Sequence, residues 1–215
     1  PKMGAKITPK RQNGVQNRAT HASRKHSEII MGLFRRLLGD SQPSPVTWDR
    51  TLAAMGQSAS FLENTLETFT TGQAALIVSH GDQTSFTSFV ESIQVAIGKN
   101  FHVTGDDQDH AWVIAKTLGL NNLAGSLQIA ADKLTETGFE NQILAAVFPF
   151  EWTDRVIYWI CRGRTLKFTP FALDGRGEPQ LRDFTLEQRM EKACRKLFPT
   201  DRNVQNWFPL WNMPI

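Results

Sequence analysis

Ile143-Leu144-Ala145-Ala146-Val147-Phe148-Pro149-Phe150, Arg155-Val156-Ile157-Tyr158-Trp159-Ile160-Cys161-Arg162 and Leu166-Lys167-Phe168-Thr169-Pro170-Phe171-Ala172-Leu173 are three apolar runs in quick succession. Only Glu151-Trp152-Thr153-Asp154 and Gly163-Arg164-Thr165 separate them. Links this short suit antiparallel neighbours, because a parallel return needs a crossover of a dozen residues or more. The stretch therefore predicts a three-stranded meander over 143–173. Its middle run is apolar at successive positions, as a strand covered on both faces should be, and Pro170 places the third run at an edge, where a missing N–H is tolerated.

Upstream, Ala74 to Val78 between Gly72 and Gly81 has the composition of a buried strand. From Gln83 to Ile97, Phe86, Phe89, Val90, Ile93 and Ile97 recur at three- and four-residue spacing, which is one buried helical face. Phe101 to Val103 and His110 to Ala115 read as strands around a turn at 105–109. A helix follows from Asn122 to Thr137, with Gly138 at the position of a C-cap glycine. Thr47 is a good N-cap for a helix through Met55, and residues 58–69 are ambiguous. Downstream lie a polar loop at 174–179, a helix from Thr185 to Leu197, and an apolar, proline-containing end from Trp207 to Ile215. The sum is a single α+β domain over 47–215, helices packed on a largely antiparallel sheet.

Before Thr47 the character changes. Residues 31–39 fit a short amphipathic helix with Leu33, Phe34, Leu37 and Leu38 on one side and Arg35 and Arg36 toward the other, and residues 40–46, with Pro43 and Pro45, read as a linker. Residues 1–30 carry seven cations, from Lys2 to Lys25, against the single acid Glu28, leaving 17 basic and 20 acidic groups for the rest of the chain. The formal charge of +3 is thus a property of this tail, which has almost no large apolar residues and reads as disordered. Met31 is expected to be the natural start, the tail being an upstream extension or, alternatively, a basic arm.

At 40% apolar and 21% charged the chain is an ordinary globular one, and no run approaches the eighteen apolar residues of a membrane span. A cytoplasmic location is expected, with Cys161 and Cys194, the two cysteines, as buried thiols.

A phosphate loop, a dinucleotide fingerprint, a His-Glu-x-x-His helix and a nucleophile elbow are all absent from the sequence. His102, Asp106, Asp107, Asp109 and His110 are weak metal candidates: two imidazoles and three carboxylates within nine residues would converge if the histidines left adjacent strands on one side of the turn. The plainer reading is a solvated acidic turn with His110 at the surface. His80 stands alone. Arg155, Arg162, Arg164 and Lys167 bracket the second hairpin and could form a basic patch with Tyr158 and Trp159. The single-stranded RNA-binding sheet signature is missing, however, so no nucleic acid is expected.

Asn206-Trp207-Phe208-Pro209-Leu210-Trp211 with Pro214, Phe168-Thr169-Pro170-Phe171-Ala172 with Arg182 and Glu187 downstream, and the opening Met31-Gly32-Leu33-Phe34-Arg35-Arg36-Leu37-Leu38-Gly39 together resemble the PspA-associated PspAB family. The strand around Trp112 and the Gly138-Phe139 pair extend the resemblance. Thr169, where a tyrosine is expected, and His110 depart from it. The resemblance implies association with the phage-shock (envelope-stress) response, in which PspA-type coiled coils coat stressed membranes, and with an HtpX-type membrane protease. It carries no catalytic signature and implies no cofactor.

These readings combine into a non-enzymatic adaptor that works through protein contacts, cytoplasmic and peripheral to the inner face of the membrane. Leu33, Phe34, Leu37, Trp207, Phe208 and Trp211 are its candidate partner-binding residues, the first three also being candidates for contact with an anionic membrane. The rivals are a metal-dependent hydrolase using the His102–His110 loop and a secretion-chaperone-like binding module. The segment from Trp207 to Trp211 is expected to lie extended against its own sheet or final helix, since left in water its aromatic surface would promote aggregation.

Overall fold

The meander forms as its short links dictate. Strand β5 (Ile143–Trp152) pairs antiparallel with β6 (Arg155–Arg162) from Ala145 opposite Arg162 to Trp152 opposite Arg155. Thr153 closes the tight turn between them in a left-handed conformation, φ 54°. Strand β7 (Phe168–Ala172) pairs with the other side of β6, placing Pro170 opposite Trp159 on an outer strand. The computed structural model describes residues 47–81, 85–106, 108–153, 155–174, 181–211 and 213–215. Residues 1–30, the segment 31–39 for which a helix is expected, with Leu33, Phe34 and Leu37, residues 40–46, Asp107 and residues 175–179 lie outside the described residues.

The chain runs through α1 (Trp48–Gln57), α2 (Ala59–Thr65), β1 (Phe69–Thr70), β2 (Gln73–Ser79), α3 (Phe86–Ile97), β3 (His102–Gly105), β4 (His110–Lys116) and α4 (Leu120–Glu136) before the meander, and α5 (Phe184–Cys194) follows it. The strand order is β3-β4-β2-β5-β6-β7, with the two-residue β1 pairing with the far end of β5. Every pairing between these strands is antiparallel. The fold is α+β, a single domain with an open seven-stranded sheet.

Alternation along the strands sorts the core. Leu76, Val113, Phe148, Trp159 and Phe168 share one face and pack with Leu52, Phe89, Ile93, Leu127 and Met190 from the helices. The reverse face is also apolar, with Ala75, Ile77, Val147 and Ile160 buried. Complete burial of one such large side chain contributes about 1.5–3 kcal/mol, so the two faces together outweigh any single polar interaction in the domain. Helices α1 and α4 meet closely because Gly56 has no side chain: a Cβ there would sit 2.6 Å from the Asn121 Oδ1 atom.

Several local expectations change. Thr47 occupies the N-cap of α1, yet its side chain makes no capping bond. The ambiguous stretch 58–69 is a short helix that ends at Thr65 and turns into β1. The final helix ends at Cys194, three residues earlier than its apolar spacing suggested. At the end of α4, Gly138 takes φ 87° and the Phe139 N–H donates to the Leu134 carbonyl at 2.7 Å, the bond that closes a helix with a left-handed glycine.

Candidate functional site

β7 is an outer strand, and two segments from later in the chain cover its free edge. The Asp183 N–H donates to the Ala172 carbonyl at 2.9 Å, and the Asp201 N–H to the Phe168 carbonyl at the same distance. An edge treated this way offers little unpaired backbone to another chain. Between the two segments runs α5, whose N-cap Asp183 accepts from the Leu186 N–H at 2.9 Å. Beyond Asp201 the chain turns through Val204–Asn206 and becomes a strap over the reverse face of β6 and β7.

The strap is anchored at Asn206 and Trp207 by two sets of buried polar groups. At its root, the Asp201 carboxylate accepts from Asn206 Nδ2 at 2.9 Å and faces Arg162 at 3.6 Å, while its carbonyl accepts the Trp207 indole N–H at 2.6 Å. On the other side of Trp207, Arg182 donates from Nε to both oxygens of the fully buried Glu187, at 2.7 and 2.8 Å, and from a terminal nitrogen to the Trp207 carbonyl at 2.7 Å. Burial pushes the Glu187 carboxyl up, and Arg182 with the Ala172 N–H pulls against that shift. Burial lowers the pKa of Arg162 and Asp201 opposes it, which leaves a guanidinium that stays charged.

Trp207 and Leu210 are buried beneath this framework, and the Phe208 ring lies against the Arg162 guanidinium at 5.5 Å. Trp211 packs edge-on against Phe171 at 5.2 Å. Arg182 in turn lies 5.6 Å from the Phe171 ring and 4.4 Å from that of Phe184. Trp211, Phe171, Arg182 and Phe184 thus form one ladder whose outer rungs face water: Phe184 is 49% exposed and Trp211 39%. Leu181, beside Arg182 in the chain, is 57% exposed. Aromatic rings and arginine on a rigid base are the composition of protein-binding hot spots.

The other sequence candidates assemble differently. His102 and His110 do share one face of adjacent strands, but His102 pairs with Ile114, four residues along β4 from His110. At the strand rise this separates them by about 13 Å, too far for one ion. His110 is buried rather than at the surface, because Asp106 draws it in: Oδ2 of Asp106 lies 3.2 Å from the His110 ring and accepts the Trp112 indole N–H at 2.8 Å. Its Oδ1 accepts the N–H groups of Gln108 and His110. Asp109 supports the same turn with φ 59°. Among the described residues no group of three or more His, Cys, Asp or Glu side chains is placed to hold a metal ion.

Burial pushes the Asp106 carboxyl up, but the hydrogen bonds from His110 and Trp112 outweigh it and bring its pKa down to about 2. A folded pKa below the unfolded value means that this carboxylate stabilises the fold above about pH 4 and loses that effect as the pH falls toward 2. Asp106→Asn is expected to cost about 1–2 kcal/mol at neutral pH, the shift discounted for partial exposure, and to flatten the acid limb of the stability curve. Denaturant unfolding of both proteins at pH 7 and pH 3 checks this: an equal difference at the two pH values contradicts it.

The basic patch does not assemble. Arg162 is buried against Asp201, Arg155 reaches Asp183 at 3.3 Å, and Trp159 is fully buried on the opposite face from Tyr158. His80 packs its ring against Phe86 and Phe89. Cys161 and Cys194 are free and buried, and burial raises both thiol pKa values, which makes them unreactive.

The sequence profile of PspAB, PspA associated protein B, matches residues 31–215. The chain belongs to this family. No curated protein and no solved structure matches it. Several of the residues that carry the PspAB resemblance meet at this site: Phe168, Phe171, Arg182, Glu187, Trp207 and Trp211 belong to the sheet edge, ion pair and strap just described. Sequence reasoning placed Trp207, Phe208 and Trp211 here but missed Phe184 and Asp201. Phe184 carries a usable signal, a large apolar side chain at a helix start outside the buried stripe of Leu186 and Met190. Asp201 carries none, because its role depends on where the strap returns. Among the described residues no helix is long and apolar enough to cross a membrane.

Proposed function

We propose that this PspAB chain is a non-enzymatic adaptor that binds a PspA-type coiled-coil protein during membrane stress through the ladder of Trp211, Phe171, Arg182 and Phe184. The observation that carries this reading is that a family associated with PspA by its description matches the chain across the whole described domain. The ladder supports it physically. Two partly exposed aromatic rings are fixed around an arginine whose charge is already held by Glu187, so a partner burying them has little side-chain freedom to remove and no unpaired cation to desolvate. Proximity to an HtpX-type protease and a peripheral place at the inner face of the membrane are further parts of this proposal.

The test is titration of the full chain with the PspA-type protein of the same organism. Phe184→Ala and Trp211→Ala are expected each to weaken binding by about tenfold, the scale of a hot-spot residue, with melting temperatures close to that of the parent. Unchanged affinity in both variants overturns the assignment of this surface.

A further inference from the structure

A second surface lies on the helical face of the sheet, opposite the strap. Trp152 and Ile157 near the turn of the β5–β6 hairpin, Leu186 and Met190 on α5, and Leu66 after α2 line a groove of about 470 Å³. That volume is in the range of pockets that accept sizeable apolar groups. One bank carries Arg189 and Lys192, the other Glu67.

The charge of the α5 bank follows from how its acids are used. Glu187 is turned inward to Arg182, and Glu191 is buried with Arg195 and Thr200 as its partners. The helix therefore presents Arg189 and Lys192 to water, three residues apart, beside the apolar stripe of Leu186, Met190 and Ala193. Among the described residues neither Arg189 nor Lys192 is in an ion pair.

We infer that this groove is a docking slot for an acidic amphipathic helix of a protein partner, its apolar side chains between α2 and α5 and its carboxylates over Arg189 and Lys192. The charge selects the occupant: over the α5 bank, a helix with glutamates along its apolar ridge meets two cations that are unpaired among the described residues, against the single Glu67 on the other bank, whereas a basic one meets like charge over α5. The shape selects a protein helix over a lipid surface. The apolar residues are recessed between two banks, which suits a ridge of inserted side chains, while a bilayer is entered by apolar groups that project. The slot and the strap surface lie on opposite faces of the sheet, so this inference stands apart from the PspA reading.

Two 18-residue amphipathic helical peptides with identical leucine ridges test it, one flanked by glutamates and one by lysines. Each is titrated by fluorescence anisotropy against the full chain and against an Arg189→Glu/Lys192→Glu variant, both cations being exposed and tolerant of change. The acidic peptide is expected to bind the parent at least about tenfold more tightly than the basic one, and the double substitution to reverse that preference. Equal binding of the two peptides, or an acidic peptide indifferent to the substitutions, overturns the inference. So does binding of phosphatidylglycerol vesicles through Arg189 and Lys192 with neither peptide bound. Failure of PspA to bind the parent chain leaves the peptide result to decide the slot by itself.

Discussion

Removing residues 206–215 is expected to lower the melting temperature by more than about 10 °C, or to yield protein that aggregates before it melts. Trp207 and Leu210 are buried and Phe208 half-buried, so deletion exposes the sheet surface they cover and loses about 1.5–3 kcal/mol for each large side chain. It also strips Arg182 of the Trp207 carbonyl and Asp201 of Asn206. A loss on the order of 5 kcal/mol in a domain of this length corresponds to a shift of that size, and domain stabilities are themselves about 5–15 kcal/mol. Thermal unfolding followed by circular dichroism measures it. A truncated chain that melts with the parent would mean that the strap is not part of the folded unit.

Replacing Arg182 with methionine is expected to be the most damaging single substitution outside the apolar core, at about 3–5 kcal/mol, because it leaves Glu187 as a buried charge without its counterion. Burial already pushes the Glu187 carboxyl up, and without Arg182 that shift is unopposed by a charge. The sign then follows. A carboxyl whose folded pKa exceeds its unfolded value binds a proton more tightly when folded, so the variant's deficit is small below about pH 4 and grows as the pH rises through the folded pKa. Adding Glu187→Leu removes the stranded charge and is expected to recover much of the loss, since an apolar pair of similar volume often replaces a buried ion pair at little cost. Urea unfolding of the two single variants and the double variant at pH 7 and pH 4 gives the coupling directly. Additive losses at both pH values would show that the two residues act independently.

What the sequence made legible was local. Short links at 151–154 and 163–165 determined the meander, three- and four-residue spacing determined α3, α4 and α5, and the crowded aromatic residues of 207–211 required a cover. The rest depended on pairings between distant segments. Nothing near Ala74–Val78 says that this strand lies between β4 and β5, and a two-residue strand such as β1 has too few positions to show alternation. The failed metal constellation has the same origin: nine residues hold the right side chains, but the register with β4 sets His102 four positions away from His110. Arg182 and Glu187 were visible through family resemblance alone. Their spacing of five suggests no helical pair, because Arg182 precedes α5 and reaches back over its first turn.

The way the β7 edge is closed bears on the order in which the protein is made. Its two covers and the strap come from residues 181–183 and 199–211, all later in the chain than every strand of the sheet. On the ribosome the seven strands leave the exit tunnel first. Until the last of these segments emerges, a growing chain holds an apolar sheet with a bare edge, the form most prone to capture by a neighbouring nascent chain. Slow translation of residues 173–211, or termination within them, would lengthen that exposure, so the C-terminal segment acts during synthesis as the step that ends a vulnerable interval.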